Sequence, residues 1–263
     1  MTDDLQSRRA LSERLADAAG EVIRPFFRKR VDVKDKGKGG FYDPVTEADR
    51  KAEETIRALI AKHSPDDAIL GEEFGETSGT SGYRWVLDPI DGTRAFLAGQ
   101  PLWGTLIALE KNGLPILGVL DQPFLRERVT GFSGTTEFRD VERRQTLKTR
   151  DCAGLSDAVI CTTHPMTHFT AEERDRFWRV ERACRLSRYG GDCYAYALLA
   201  MGFIDLVIET NLKRWDVAAI IPIIEGANGI VTDWDGKPAF AGGNVVASGD
   251  ARVHAEALRV LNA

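Results

Sequence analysis

The chain lacks any apolar run near the roughly 18 uninterrupted residues of a membrane span. Its most apolar stretch, residues 215–231, is broken by Asp216, Pro222, Glu225, Asn228 and two glycines. Cysteine is scarce: Cys152, Cys161, Cys184 and Cys193 are the only four, and none pair as CxxC. That excludes a disulfide scaffold and paired-thiolate zinc motifs, and it suits reduced thiols in a cytoplasmic protein. Residues 1–9 are polar and lack the apolar centre of a secretory signal. Positive charge is not in excess either. Lys and Arg total 35 against 40 Asp and Glu, a net charge of −5, which argues against nucleic acid as a partner. No Walker A, GxGxxG or GxSxG sequence stands in a matching context. There is no repeat, linker or low-complexity segment.

What remains is ordinary globular composition, with 43% hydrophobic and 29% charged residues over 263 positions. The length suits one large domain or two closely packed ones. Apolar spacing predicts a helix over 5–30, kinked near Pro25, and a second over 46–63. The basic, glycine-rich residues 31–42 between them cannot hold a helix and are expected to be mobile. Short strands are predicted at 68–70 and 83–87. Strands at 103–110 and 114–120 flank Lys111-Asn112-Gly113, a hairpin signal. More strand material runs to about residue 150. Beyond it, strands at 158–162, 203–209, 229–234 and 245–248 alternate with helices at 171–182, 192–201, 216–225 and 251–261. The pattern is α/β with an α+β N-terminal half. We expect residues 1–150 to form one subdomain and 151–263 another, sharing a cleft.

The chemistry concentrates in Trp85-Val86-Leu87-Asp88-Pro89-Ile90-Asp91-Gly92-Thr93. An apolar strand is expected to stop at Asp88-Pro89, leaving Asp88 and Asp91 near one locus and the Ile90 carbonyl free of the sheet. Hard divalent cations such as Mg²⁺ take oxygen ligands of this kind. Gly92 permits close approach of a ligand, and the Gly92 and Thr93 amides could open a helix toward a phosphate. Glu72 follows one predicted strand and Asp216 opens one predicted helix, where a carboxylate could be mounted rigidly. Each acid has a plainer reading: Glu72 as a loop acid, Asp216 as an N-cap, Asp91-Gly92 as a turn. Together they suit a metal site. Asp49 has two readings, a capping box with Thr46 or a functional acid at the cleft that binds a further cation or accepts a hydrogen bond from Thr93, orienting Thr93 to hold and deprotonate a water. His164 and His168 have i, i+4 spacing, but Pro165 between them makes a zinc pair a poor reading.

Gly71-Glu72-Glu73, Asp88-Pro89-Ile90-Asp91-Gly92-Thr93 and Trp215-Asp216-Val217-Ala218-Ala219, in that order and spacing, resemble the signatures of the inositol monophosphatase superfamily. The resemblance implies a layered αβαβα sandwich of the inositol monophosphatase/fructose-1,6-bisphosphatase type, commonly a homodimer. It implies that Glu72, Asp88, Asp91, Asp216 and the Ile90 carbonyl hold two or three Mg²⁺. Glu72, Thr93 and Asp49 would then help activate the attacking water.

Within that superfamily the chain is most similar to bacterial histidinol-phosphate phosphatases. The similarity lies in Asp91-Gly92-Thr93-Arg94-Ala95-Phe96, residues 99–107, and Arg188-Tyr189-Gly190-Gly191-Asp192 with the run to Glu209. It implies a small-molecule phosphate ester as substrate, specifically L-histidinol phosphate in histidine biosynthesis, and no nucleic acid or membrane partner. Substrate contacts would fall to Gly92, Thr93, Arg94, Arg188, Gly191, Asp192, Glu209 and Asp216. The acids Asp192 and Glu209 suit an ammonium, although Asp192 could be an N-cap and Glu209 could bind a hydroxyl. Arg188 could reach the phosphate or a partner subunit, or form a surface ion pair. Trp103, Tyr194 and Trp215 could stack on an imidazole or fill the core. Inositol phosphate or another small ester is the alternative substrate, and a non-catalytic binding protein the alternative of another class.

Overall fold

A computed structural model of the protein describes residues 3–30, 33–35 and 44–263. The first helix, α1 (Asp3–Ile23), ends before Pro25 and does not run on to residue 30. A residue preceding proline is pushed out of the helical region, and the ring removes a donor. Within the segment expected to be mobile, β1 (Val33–Asp35) pairs antiparallel with β2 (Pro44–Thr46). Residues 31–32 and 36–43 lie outside the described residues. Helix α2 (Glu47–His63) follows directly, capped by the Thr46 hydroxyl.

Next come β3 (Ala68–Gly71), β4 (Gly75–Thr77), β5 (Tyr83–Asp91), the short helix α3 (Thr93–Leu97), β6 (Gly104–Lys111) and β7 (Leu114–Gln122). The meander continues with β8 (Glu127–Phe132), β9 (Thr135–Arg139) and β10 (Arg144–Thr146). These strands form an eight-stranded sheet in the order β10-β9-β8-β7-β6-β5-β3-β4. It is antiparallel except between β3 and β5. The β6–β7 turn places Asn112 at φ 51° and Gly113 at φ 82°, the left-handed pair that a two-residue hairpin requires.

The second half gives β11 (Val159–Thr162), α4 (Pro165–His168), α5 (Ala171–Glu181), β12 (Leu186–Tyr189), α6 (Asp192–Ala200) and β13 (Leu206–Leu212). It closes with α7 (Arg214–Val217), α8 (Ile220–Gly226), β14 (Ile230–Asp233), β15 (Gly243–Ser248) and α9 (Ala251–Leu261). Its sheet has the order β12-β11-β13-β15-β14. The helix expected over 216–225 is two helices. Pro222 cannot donate to the carbonyl of Ala218, so a continuous helix would lose a bond at that point.

Strand alternation sorts the side chains into five layers. Trp85, Leu87, Ile107 and Leu109 face α1 and α2 through Leu15, Ile23, Ile56 and Ile60. Their neighbours Val86, Leu106 and Ala108 face the opposite way, toward α6 and α8 and, beyond those, Val207, Val245 and Ala247 of the second sheet. The far face of that sheet, including Ile160, Leu206 and Val246, packs on α5 and α9 through Phe177, Val180 and Val253. The result is the αβαβα sandwich, with the helices between the sheets buried on both sides. Among the described residues no helix is long and apolar enough to cross a membrane.

Helix α8 approaches the first sheet backbone to backbone. A Cβ on Gly118 would lie 1.9 Å from the Ala219 carbonyl oxygen, and one on Gly131 2.2 Å from that of Pro222. Both strand positions therefore need glycine. Gly118→Ala should cost about 3 kcal/mol, the upper part of the usual overpacking range, read as a lower urea midpoint with an unchanged slope. An unchanged midpoint would contradict this packing.

Candidate active site

The site begins where β5 meets β6. Asp88 pairs with Leu106 and Asp91 with Gly104, with a register shift between them. Strand β5 thus does not stop at Asp88, as expected from Pro89, but runs through a bulge to Asp91. A bulge tolerates proline because the ladder is already interrupted there. The Thr105 hydroxyl donates to the Pro89 carbonyl at 2.8 Å and holds the bulge. The Ile90 carbonyl, freed from the ladder, accepts the Thr93 hydroxyl at 3.0 Å. Thr93 is therefore engaged with Ile90 and not with Asp49.

Gly92 caps α3 at φ 85°. A Cβ there would sit 3.0 Å from the Asp192 Cβ and 3.2 Å from the Trp103 Cα. Both its conformation and its space exclude other residues.

Glu72 follows β3, and its amide donates to the Leu87 carbonyl at 3.2 Å. Glu53, buried on α2, braces the next turn: its carboxylate accepts the Glu73 amide at 2.8 Å and the Phe74 amide at 3.2 Å. Asp216 is the third residue of α7, where its carboxylate accepts the Lys213 amide at 2.7 Å. It does not open a helix as an N-cap. The preceding residue but one, Arg214, donates to buried Glu110 at 2.7 Å and to the Gly113 carbonyl at 2.8 Å. Glu110 stands on β6, so this ion pair fixes α7 against the first sheet.

These elements enclose a cleft of about 260 Å³. Glu72, Asp88, Ile90, Asp91, Gly92, Thr93, Arg94, Asp192, Glu209 and Asp216 line it. Asp49 lies behind. It is buried in a capping box, accepting the Thr46 amide at 2.9 Å, and reaches the cleft through the repulsion it shares with Glu72, Glu73 and Asp88. Gly191 caps α6 without lining the cleft. Arg188 is exposed on edge strand β12, outside the cleft. Asp192 is not an N-cap but the first helical residue, with φ 43°, an uncommon conformation for a side-chain-bearing residue.

Residues that the sequence did not mark also line the cleft: Thr163, His168, Thr210, Asn211, Leu212 and Lys213. Most belong to the end of β13 and the α7 cap. That strand was expected to stop at Glu209. His168 accepts from Arg94 at 3.1 Å, whereas its spacing had suggested only a weak zinc pair with His164. Trp215 lines the cleft, but Trp103 is buried against Phe27 and Phe96 in the core. Tyr194 hydrogen-bonds Glu127.

The electrostatics are one-sided. Burial pushes the Asp88 carboxyl well up, and Glu72, Asp91, Asp216 and Asp49 push it further. Asp91 is raised by burial, then by Asp216, Asp192 and Glu72. Burial also lifts Asp216 to about 7, Asp192 to about 6 and Glu209 to about 8. Among the described residues no three His, Cys, Asp or Glu side chains stand as a finished metal site. The donor set nonetheless fits a hard divalent cation: four carboxyls and a carbonyl, all oxygen, in a cleft where the leading influences on Asp88 and Asp91 disfavour negative charge. A cation would compensate that repulsion.

Asp88→Asn removes one of the mutually repelling groups and can keep the hydrogen bond that Asp88 Oδ1 accepts from the Ile90 amide at 3.1 Å. In chelator its thermal midpoint should therefore equal or exceed the parent's, and Mg²⁺ should raise the parent's midpoint but not the variant's. A clearly lower midpoint in chelator would contradict the repulsion account.

The comparisons with known proteins agree with this geometry. Residues 4–262 match the inositol monophosphatase family. The chain is 46% identical to a bifunctional phosphatase, IMPL2, chloroplastic, of Arabidopsis thaliana, over 96% of this chain and 74% of that protein. It is 36% identical to a histidinol-phosphatase of Chlorobaculum parvum, over 94% and 92%. The structure superposes on an inositol monophosphatase from Zymomonas mobilis with a TM-score of 0.87 and 40% identity, covering all of both chains. Motif order, layered fold and match to the family along almost the whole chain lead to one conclusion: this protein belongs to the inositol monophosphatase family, a family of phosphatases.

Proposed function

We propose that the protein is a Mg²⁺-dependent phosphomonoesterase that hydrolyses L-histidinol phosphate to L-histidinol and phosphate. One observation supports this reading above others. The cleft holds the acids of a cation site, Glu72, Asp88, Asp91 and Asp216, and also two further acids, Asp192 and Glu209, on a separate helix and strand. Histidinol phosphate carries a phosphate, an ammonium and an imidazole. The first set suits the phosphate through cations, and the second suits the ammonium.

Glu72, Asp88, Asp91, Asp216 and the Ile90 carbonyl would hold two or three Mg²⁺. Bound there, the ions supply polarisation of the phosphate oxygens, a more acidic water and stabilisation of the leaving alkoxide. The chain's own groups do the rest. Glu72 and Thr93 hold the attacking water, and its proton passes to the Glu72 carboxylate. Asp49 supports Glu72 through charge, since its own carboxyl is committed to Thr46. Gly92 and Thr93, at the start of α3, and Arg94 face the phosphate. A new water oxygen–phosphorus bond forms as the ester bond breaks in line, and the alkoxide takes a proton from water. Asp192 and Glu209 orient the amino end. Gly191 supports Asp192 from the cap of α6. We assign the chain to a homodimer, in which exposed Arg188 would serve the partner's side of the cleft. A cytoplasmic setting suits its four free cysteines, although the Arabidopsis relative is chloroplastic.

Inositol monophosphate is the second reading, favoured by the Zymomonas mobilis structure at 40% identity. Phosphate release from histidinol phosphate and inositol 1-phosphate, side by side, separates the two. Histidinol phosphate should show the higher kcat/KM, and EDTA should abolish release. Asp192→Ala should lower kcat/KM for the cationic ester by roughly 10- to 100-fold, the loss of a charged hydrogen bond, and spare the neutral one. Preference for the inositol ester, or equal losses on both, would overturn the substrate assignment. Release that survives EDTA would overturn the metal.

A further inference from the structure

We propose that His168 is a positioning residue: its imidazole accepts a hydrogen bond from Arg94 within the cleft and fixes the plane in which that guanidinium meets the phosphate ester. The proposal rests on reading the cleft as a phosphate-ester site and adds to it a residue that the family signatures quoted above do not include.

The two side chains come from opposite halves of the chain. Arg94 belongs to α3, two residues after Gly92, and His168 ends α4; both line the cleft. Arg94 Nη1 lies 3.1 Å from His168 Nε2. A guanidinium is always protonated and only donates, so Nε2 must be the acceptor. The ring is therefore neutral, with its proton on Nδ1, because an imidazolium has no acceptor to offer. The surroundings keep it so. Burial first, then the Arg94 and His164 charges, lower the His168 pKa to about 4.

The ring is also anchored from behind. The His168 carbonyl accepts the Thr210 hydroxyl at 2.9 Å, and Thr210 follows Glu209 on β13. Pro165 starts α4 directly after His164, with its φ preset for a helix. His168 thus ties Arg94 to the wall that carries Glu209. A guanidinium has five donors in one plane, so fixing one arm sets the direction of the rest. An arginine without that constraint loses more side-chain freedom when it binds an anion. The constraint acts on binding before and during the reaction alike, so it should appear in KM and not in kcat.

The test uses the full chain with Mg²⁺. His168→Ala should raise KM about tenfold, the size of one charge-assisted hydrogen bond, with kcat within about twofold. Inorganic phosphate, titrated by calorimetry, should bind more weakly by the same factor. His168→Gln, which keeps an acceptor oxygen, should recover most of the loss. Adding His168→Ala to Arg94→Gln should cost nothing further. An unchanged KM, no rescue by glutamine, or additive losses would overturn the proposal. A second readout needs no turnover and no folding of the His168 variants. The His168 ring proton, followed by NMR against pH, should titrate well below 6.5 in the parent and shift upward in Arg94→Gln. Titration at the ordinary value, or no shift, would overturn the contact itself. If instead the preferred ester proves different, the NMR and inorganic-phosphate results still decide the role of His168.

Discussion

The fold gathers negative charge out of water. Asp88 is buried and Asp91 half-buried at the end of one strand, with Glu72 and Asp216 brought beside them from elsewhere in the chain. Each of these two carboxyls is raised first by desolvation and then by its neighbours. Left to themselves such groups neutralise by taking up protons. Proton and metal ion are alternative ways to settle the same repulsion. A site that costs folding stability in this way is a common mark of catalytic function.

The supports around the cleft are charged too, but they are paired. Buried Glu110 receives Arg84 and Arg214, and so ties β5, β6 and α7 together at the point where Asp216 is mounted. Buried Glu53 receives Arg57 and two backbone amides, and so holds the turn beside Glu72. Breaking one partner of such a pair leaves a buried charge uncompensated and costs several kcal/mol. The contrast is informative: acids that hold the scaffold have arginines, whereas Asp88 and Asp91 are surrounded chiefly by other acids.

Much of this was legible in the residues. The strand-then-carboxylate pattern at Trp85–Asp91, the helix at α2 and the Asn112-Gly113 hairpin follow from local chemistry, and the structure places them close to the expected positions. Local rules misled where tertiary contacts decide. Pro89 reads as a strand stop, yet a bulge held by Thr105 carries the strand to Asp91. Residues 216–225 read as one helix, yet the segment breaks at Ala218–Ala219, where Pro222 has no amide to bond the Ala218 carbonyl. Asp192 reads as an N-cap, yet it is the first residue of α6, at positive φ and close against Gly92. His168 was invisible as a cleft residue, since its meaning depends on Arg94, 74 positions away. Asp49 had two local readings. The capping box accounts for its hydrogen bonds, and only its charge reaches the site.

The most direct test of the central claim is a crystal of the protein grown with Mn²⁺ in place of Mg²⁺, with anomalous diffraction recorded at the manganese edge. The account predicts two or three peaks bounded by Glu72, Asp88, the Ile90 carbonyl, Asp91 and Asp216. An anomalous map with no peak among those five groups, or with manganese bound only elsewhere, would contradict it.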